Sequence, residues 1–261
     1  MACNPGLGPV PAERTSEPIL LTALRLSTYS GQAHLTNASG FFFQRGDRLY
    51  LVTSRHVLRD AVSGHNPSRI LIELHTDGDN LAASTGFSIP LYRDGQPLWR
   101  DGIDGGGRVD VAAIAIDRDA LPETLAYRAF TPEHLVRAGD LVEIGCTLMV
   151  VGFPLGFHDT LHHMPVVRRA ALASSFGLRF QGQGYFLTDA RTHRGTSGAP
   201  VVMPVDRLQG ERSAALGDVP WLLLGIHSSR LDLGSRDLEQ DEALGLNCTW
   251  YADILLTLTE T

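Results

Sequence analysis

The sequence predicts an all-β protein, an antiparallel barrel or sandwich with one short helix near its end. Two observations carry this. Apolar segments are short and separated by Gly- and Pro-containing turns throughout the 261 residues, the pattern of stacked or closed antiparallel sheets. Helical spacing of apolar residues is sustained only at Trp250, Ile254, Leu255 and Leu258.

Taken in order, residues 1–17 hold Pro5, Pro9 and Pro11 with little apolar material and read as a mobile tail. Pro18–Thr28 is the first expected strand. Gly40–Gln44 and Leu49–Thr53 flank Arg45-Gly46-Asp47, a hairpin signal. Ser54–Leu58 is expected to make one helical turn, and Arg69–His75 another strand. Phe87–Tyr92 and Pro97–Arg100 are weaker strand candidates. A glycine-rich loop, residues 101–108, leads into Val109–Ile116, where Asp110 interrupts an apolar run. Leu121–His134 reads as a crossover. Further strands are expected at Asp140–Glu143, Cys146–Phe153, Val166–Ser174, Gly184–Asp189 and Trp221–Ser228. The loop 230–244 carries five acids, and residues 249–258 form the expected helix.

Composition narrows the function. The net charge is −7 and no Lys/Arg-rich run occurs, which argues against nucleic acid as a partner. No apolar stretch is long enough to span a membrane, and the N-terminus makes a poor signal peptide. Three cysteines far apart in sequence suggest reduced thiols. The expectation is a cytoplasmic protein.

The chemistry centres on residues 191–200, Arg-Thr-His-Arg-Gly-Thr-Ser-Gly-Ala-Pro. Glycines on either side of a small nucleophile let the backbone turn several N–H groups towards one point. A serine hydroxyl needs an imidazole to take its proton, and that imidazole needs a carboxylate to fix its tautomer. His56 and Asp110 can supply these, and His–Asp–Ser is one of the known chain orders for such a triad. Each residue alone has a bland reading: a packing histidine, a strand-start aspartate, a turn serine. Their joint order on matching elements favours the triad. His158, His162 and His163 lack a recognisable ligand set, so no metal is expected, and residues 105–107 are no dinucleotide fingerprint because no helix pattern follows. No cofactor is expected.

Gly40-Phe41-Phe42, Leu51–Val57, Arg108–Ala112 and Gly195–Pro200 resemble the signature blocks of trypsin-like serine peptidases. Gly225-Ile226-His227-Ser228 resembles that family's substrate-binding strand, and Val151–Gly156 a turn of its bacterial members. The resemblance implies two antiparallel six-stranded β-barrels, at about 18–120 and 138–248, with a short C-terminal helix, within one peptidase domain at 18–261. It implies His56 as general base, Asp110 as its orienter, Ser197 as nucleophile, and the N–H groups of Gly195 and Ser197 as the oxyanion hole. Thr196 stands where zymogen-activated members have aspartate, so that switch is lacking.

The resemblance places Arg191 and Thr192 at the base of the specificity pocket and His227, Ser228 and Ser229 on its wall. Glutamate-preferring relatives carry a threonine and a histidine at positions matching Thr192 and His227, which implies an acidic residue at the cleavage site. The expected substrate is a protein or peptide. The competing expectation is a trypsin-fold binding or regulatory protein, either silent or latent until a partner or ligand orders loop 230–244. An α/β-hydrolase is excluded, because only His227 follows the serine and no βαβ alternation is visible.

Overall fold

A computed structural model describes residues 17–205, 214–230 and 245–260. The expected tail at 1–17 lies outside these residues but for Glu17, and so does loop 230–244 but for Arg230, which ends a strand. The chain opens with a 3-10 turn over Pro18–Thr22, where a strand was expected to begin. Proline at its start has no N–H to leave unbonded, which suits the first position of a turn.

Seven strands form the first sheet: β1 (Ala23–Ser30), β2 (Ala33–Arg45), β3 (Arg48–Thr53), β4 (Arg69–His75), β5 (Ser84–Pro90), β8 (Trp99–Asp104) and β9 (Gly107–Ile116). A separate two-stranded ribbon, β6 (Tyr92–Arg93) with β7 (Gln96–Pro97), turns the chain between β5 and β8. The sheet order is β5-β4-β1-β2-β3-β9-β8, antiparallel throughout. Where a six-stranded N-terminal barrel was expected, the backbone pairing therefore runs through seven strands, with β5 and β8 at its edges. The strand expected at Pro97–Arg100 is β8, which runs further, to Asp104, so that the glycine-rich segment expected as a loop is largely the β8–β9 hairpin.

The second half is a closed barrel: β10 (Thr147–Gly152), β11 (Val166–Leu172), β12 (Tyr185–Asp189), β15 (Leu246–Tyr251), β14 (Trp221–Arg230) and β13 (Pro200–Pro204), in that order around the ring. Closure comes from β10 pairing with β13 at Met149↔Val202 and Val150↔Val201. Asp140–Glu143, expected as a strand, belongs to none.

Short α-helices among the described residues include α1 (Arg55–Leu58) and α2 (Ile254–Leu258). The helix expected over 249–258 is thus shorter, because its first residues belong to β15. Thr249, Trp250 and Tyr251 are β-branched or aromatic and suit a pleated ladder. They pair with β12 and β14. The spacing of Trp250 and Ile254 imitates a helical stripe, but Trp250 belongs to a strand buried on both faces from Asn247 to Trp250.

Burial explains the unusual Phe-Phe-Phe run. Phe41 and Phe43 point into the core shared by the two halves, with Val151, Phe153, Leu223 and Ile226, whereas Phe42 points into the core of the first sheet. Tyr50 and Val52 alternate with Leu49 and Leu51 in the same way. Strands buried on both faces read as continuous apolar runs. The barrel has its own interior, built from Leu148, Val150, Leu172, Phe186, Val201 and Leu224.

On one side the two halves are also held by the β8–β9 tip. Asp104 pairs with Arg179 of the barrel, and Gly106 N–H is turned back onto Asp104 at 2.8 Å. A Cβ on Gly106 would come within 2.6 Å of the Gly182 carbonyl, so the glycine run permits a close approach of backbones.

Candidate active site

The three residues singled out in the sequence meet where the halves join. After β3 ends, α1 presents His56. On β9, Asp110 accepts the His56 backbone N–H on Oδ1 at 2.9 Å and faces His56 Nδ1 with Oδ2 at 2.6 Å. Two contacts from one carboxylate fix both the backbone and the ring. With the Nδ1 proton directed at the carboxylate, Nε2 is the basic nitrogen. Ser228 of β14 donates its hydroxyl to the same Oδ2 at 2.5 Å. Its carbonyl accepts the Ser197 hydroxyl at 2.7 Å. Ser228 therefore touches both Asp110 and Ser197, contacts that the sequence, which marked it as a pocket wall, did not show.

Burial opposes the charged form of His56, but the hydrogen bond and charge of Asp110, helped by Asp60, more than offset it. The His56 pKa is raised above 6.5. Asp60 itself is half-buried, and Ser63 and the Val62 N–H hold its carboxyl below the usual range.

The nucleophile loop can be followed peptide by peptide, since every buried backbone group needs a partner. Arg194 C=O accepts from Leu155 N–H at 2.5 Å, and Thr196 C=O from Ala199 N–H at 2.9 Å. Thr196 N–H goes to His193 C=O at 3.1 Å and Gly198 N–H to His227 C=O at 2.7 Å. Among the described residues, no acceptor is bonded to the N–H of Gly195 or of Ser197. In a trans peptide the N–H points away from the C=O. Anchoring Arg194 C=O on Leu155 thus turns the Gly195 N–H to the other side. Gly195 has φ +91°, and a Cβ there would lie 2.6 Å from Phe153 C=O. Only glycine fits.

His56, Asp60, Arg194, Gly195 and Ser197 line one cleft of about 330 Å³, with Asn37 and Ala38 across from them. The expected specificity residues are distributed differently. Thr192 is buried and donates to Asn247 Oδ1 at 2.5 Å, and Asn247 Nδ2 is bonded to the carbonyls of Ala190 and Gly245 at 2.8 and 2.9 Å. His227 is buried and pairs across to Thr249, two residues from Asn247 on β15. Thr192 and His227 therefore flank one stretch of β15. Arg191 is exposed, outside this buried pair. The side chain of Ser229 lies outside the described residues. Asn247 was missed in the sequence because it sits in no motif, and only the closing strand gives it a place.

Elsewhere, His158 stacks on His163 and His162 Nδ1 meets Asp159 at 2.7 Å. No described helix is long and apolar enough to cross a membrane.

Comparison with known proteins agrees with the fold. No curated protein matches the chain. Among solved structures, a serine endoprotease from Yersinia pestis superposes with a TM-score of 0.50 at 14% identity, over 95% of this chain and 66% of that one. The chain thus spans about two thirds of that protein's length. Residues 38–210 match the trypsin-like peptidase domain. With His56, Asp110 and the Ser197 loop all inside the matched region, which covers well over half of the chain, the chain belongs to the trypsin-like serine peptidases.

Proposed function

We propose that this protein is a serine endopeptidase that cleaves peptide bonds through an acyl-enzyme on Ser197. The observation that carries the reading is one cleft holding an Asp110-bonded imidazole, a serine hydroxyl and two backbone N–H groups with no acceptor among the described residues. His56 Nε2 takes the proton as Ser197 Oγ attacks the substrate carbonyl, and returns it to the leaving amine. Asp110 stabilises the imidazolium formed between these steps. The N–H groups of Gly195 and Ser197 receive the oxyanion. Water then repeats the sequence and releases the acid. A fluorophosphonate probe should label the wild-type protein at Ser197, and a folded protein that never labels and cleaves no peptide would count against the reading.

Turnover requires neutral His56. Because its pKa is raised, kcat/KM should climb with pH through a midpoint above 6.5, as measured by the pH–rate profile of the free enzyme. The same shift has the opposite sign for stability. His56 contributes stability fully below its unfolded-state pKa, and that contribution is lost as pH rises through the folded one.

We further propose an acidic residue on the amino side of the cleaved bond. Thr192 and His227 support this as two hydrogen-bonding side chains buried along β15, and Arg194 adds a positive charge to the cleft. Digestion of a peptide library should show cleavage after Glu or Asp. Cleavage after Lys, Arg or large aromatics would rule it out.

A second reading has one observation in its favour. Ser197 Oγ is bonded to Ser228 C=O, and among the described residues no bond joins it to His56. A latent protein, armed when a partner or ligand turns the serine towards the base, fits that arrangement. Labelling seen only after addition of cell extract would select latency over constitutive activity.

A further inference from the structure

One residue outside the proposed triad holds the nucleophile loop from the opposite half of the molecule. Ser39 lies on β2 and is fully buried. Its backbone N–H donates to Ser197 C=O at 2.9 Å. Its hydroxyl donates to Gly195 C=O at 2.7 Å and accepts the Phe153 N–H at 3.0 Å. Its carbonyl accepts the Thr53 hydroxyl at 2.7 Å, which anchors it to β3 just ahead of the His56 turn.

The placement matters because of which peptides these bonds fix. The loop has four consecutive peptide units from Arg194 to Gly198. The Gly195–Thr196 unit is held by the Ser39 hydroxyl and the Ser197–Gly198 unit by the Ser39 N–H. Between them lies the unit that carries Ser197 N–H, and before them the one that carries Gly195 N–H. Both candidate oxyanion donors are thus aimed by neighbours that Ser39 clamps. The Phe153 N–H brings in the segment whose next-but-one residue, Leu155, holds Arg194 C=O. One hydroxyl therefore connects β2, the turn after β10 and the nucleophile loop.

We propose that Ser39 is a positioning residue for the oxyanion donors, an inference that rests on the peptidase reading above. It touches neither substrate nor reacting atoms and acts through the orientation of Gly195 and Ser197. Removing its hydroxyl leaves Gly195 C=O without its donor and Phe153 N–H without its acceptor in a buried site, so the Gly195–Thr196 peptide is held only by the longer bond from Thr196 N–H to His193 C=O at 3.1 Å. Donors aimed imperfectly at the developing negative charge cost rate, whereas ground-state binding along the cleft is untouched.

The test is Ser39→Ala, which keeps the Cβ and removes only the hydroxyl. Peptide turnover and the rate of fluorophosphonate labelling should both fall, roughly 10- to 100-fold, less than the loss expected for an oxyanion donor itself. KM should stay within about twofold, and the acid limb of the pH profile should not move, since His56 and Asp110 keep their bonds. A merely structural role would lower the melting temperature and leave the rate per folded molecule unchanged. Ser39→Cys, nearly the same shape with a weak donor, should also be slowed. It serves in place of the alanine variant if that one does not fold. Labelling of either folded variant at the wild-type rate, or a loss confined to KM, overturns the proposal. A wild type that never labels overturns the peptidase reading and this inference with it. A wild type that labels beside an equally reactive variant overturns this inference alone.

Discussion

Ser197→Ala should abolish fluorophosphonate labelling and reduce peptide turnover by about 10⁶-fold, the loss seen when a triad nucleophile is removed. The residue has no substitute. Thr196, next to it, is buried, and the other hydroxyls among the described cleft residues, on Thr36 and Ser63, are donated to the Asn37 carbonyl and to Asp60. What survives is the residual catalysis of the oxyanion donors and of substrate binding, about 10³–10⁴ over water. The fold should survive as well. Ser197 Oγ makes one hydrogen bond, to Ser228 C=O, and losing it costs about 1 kcal/mol. A cooperative melt close to that of the wild type, with no labelling and no turnover, is the expected pair of measurements. Turnover retained in the variant would place the chemistry elsewhere.

Asp110→Asn should lower kcat by about 10⁴-fold with little change in fold. The amide has nearly the same shape, but its NH₂ end can only donate. One end of Asp110 accepts the His56 N–H and the other meets both His56 Nδ1 and the Ser228 hydroxyl. An amide nitrogen on the Oδ2 side would donate to His56 Nδ1 and leave the proton on Nε2, the atom that must accept one from Ser197. The variant also removes the charge and hydrogen bond that raise the His56 pKa, while the burial that lowers it remains. Whatever activity is left should show its acid limb at lower pH than in the wild type. A variant with wild-type kcat, or an unmoved acid limb, would mean that Asp110 does not orient the base.

Several parts of this architecture are legible in the sequence because local chemistry dictates them. Arg45-Gly46-Asp47 marks the β2–β3 hairpin, and Arg69–His75 alternates cleanly enough to give β4 its observed bounds. His56, Asp110 and Ser197 could be assembled because each sits in a short block with its own backbone logic. Parts that depend on distant neighbours were not legible. The end of the closing strand β15, Thr249–Tyr251, reads as helix because Trp250 and Ile254 are four residues apart, and only pairing to β12 and β14 shows the strand. The six strands expected of the first half come from the family resemblance, whereas the sequence itself marks strands near Phe87–Tyr92 and Pro97–Arg100 that become β5 and β8 at the edges of a seven-stranded sheet. Arg191 was expected at the base of the pocket from its distance to the serine, yet its side chain is exposed while Thr192 turns inward. Ser39 gave no signal, since a single serine in a strand means nothing until the loop it holds is seen.

The closed barrel has a consequence in time. His56 and Asp110 precede every barrel strand in the chain, whereas Ser197 and Ser228 are framed by β13 and β14, and the ring is complete only when β15 joins β12 to β14. On the ribosome, base and acid are made long before the frame that holds the proposed nucleophile. On the proposed mechanism, a nascent chain should therefore cleave nothing until its barrel has closed. The same order applies in reverse: a molecule that opens between β12 and β15 disarms itself before its first sheet is disturbed.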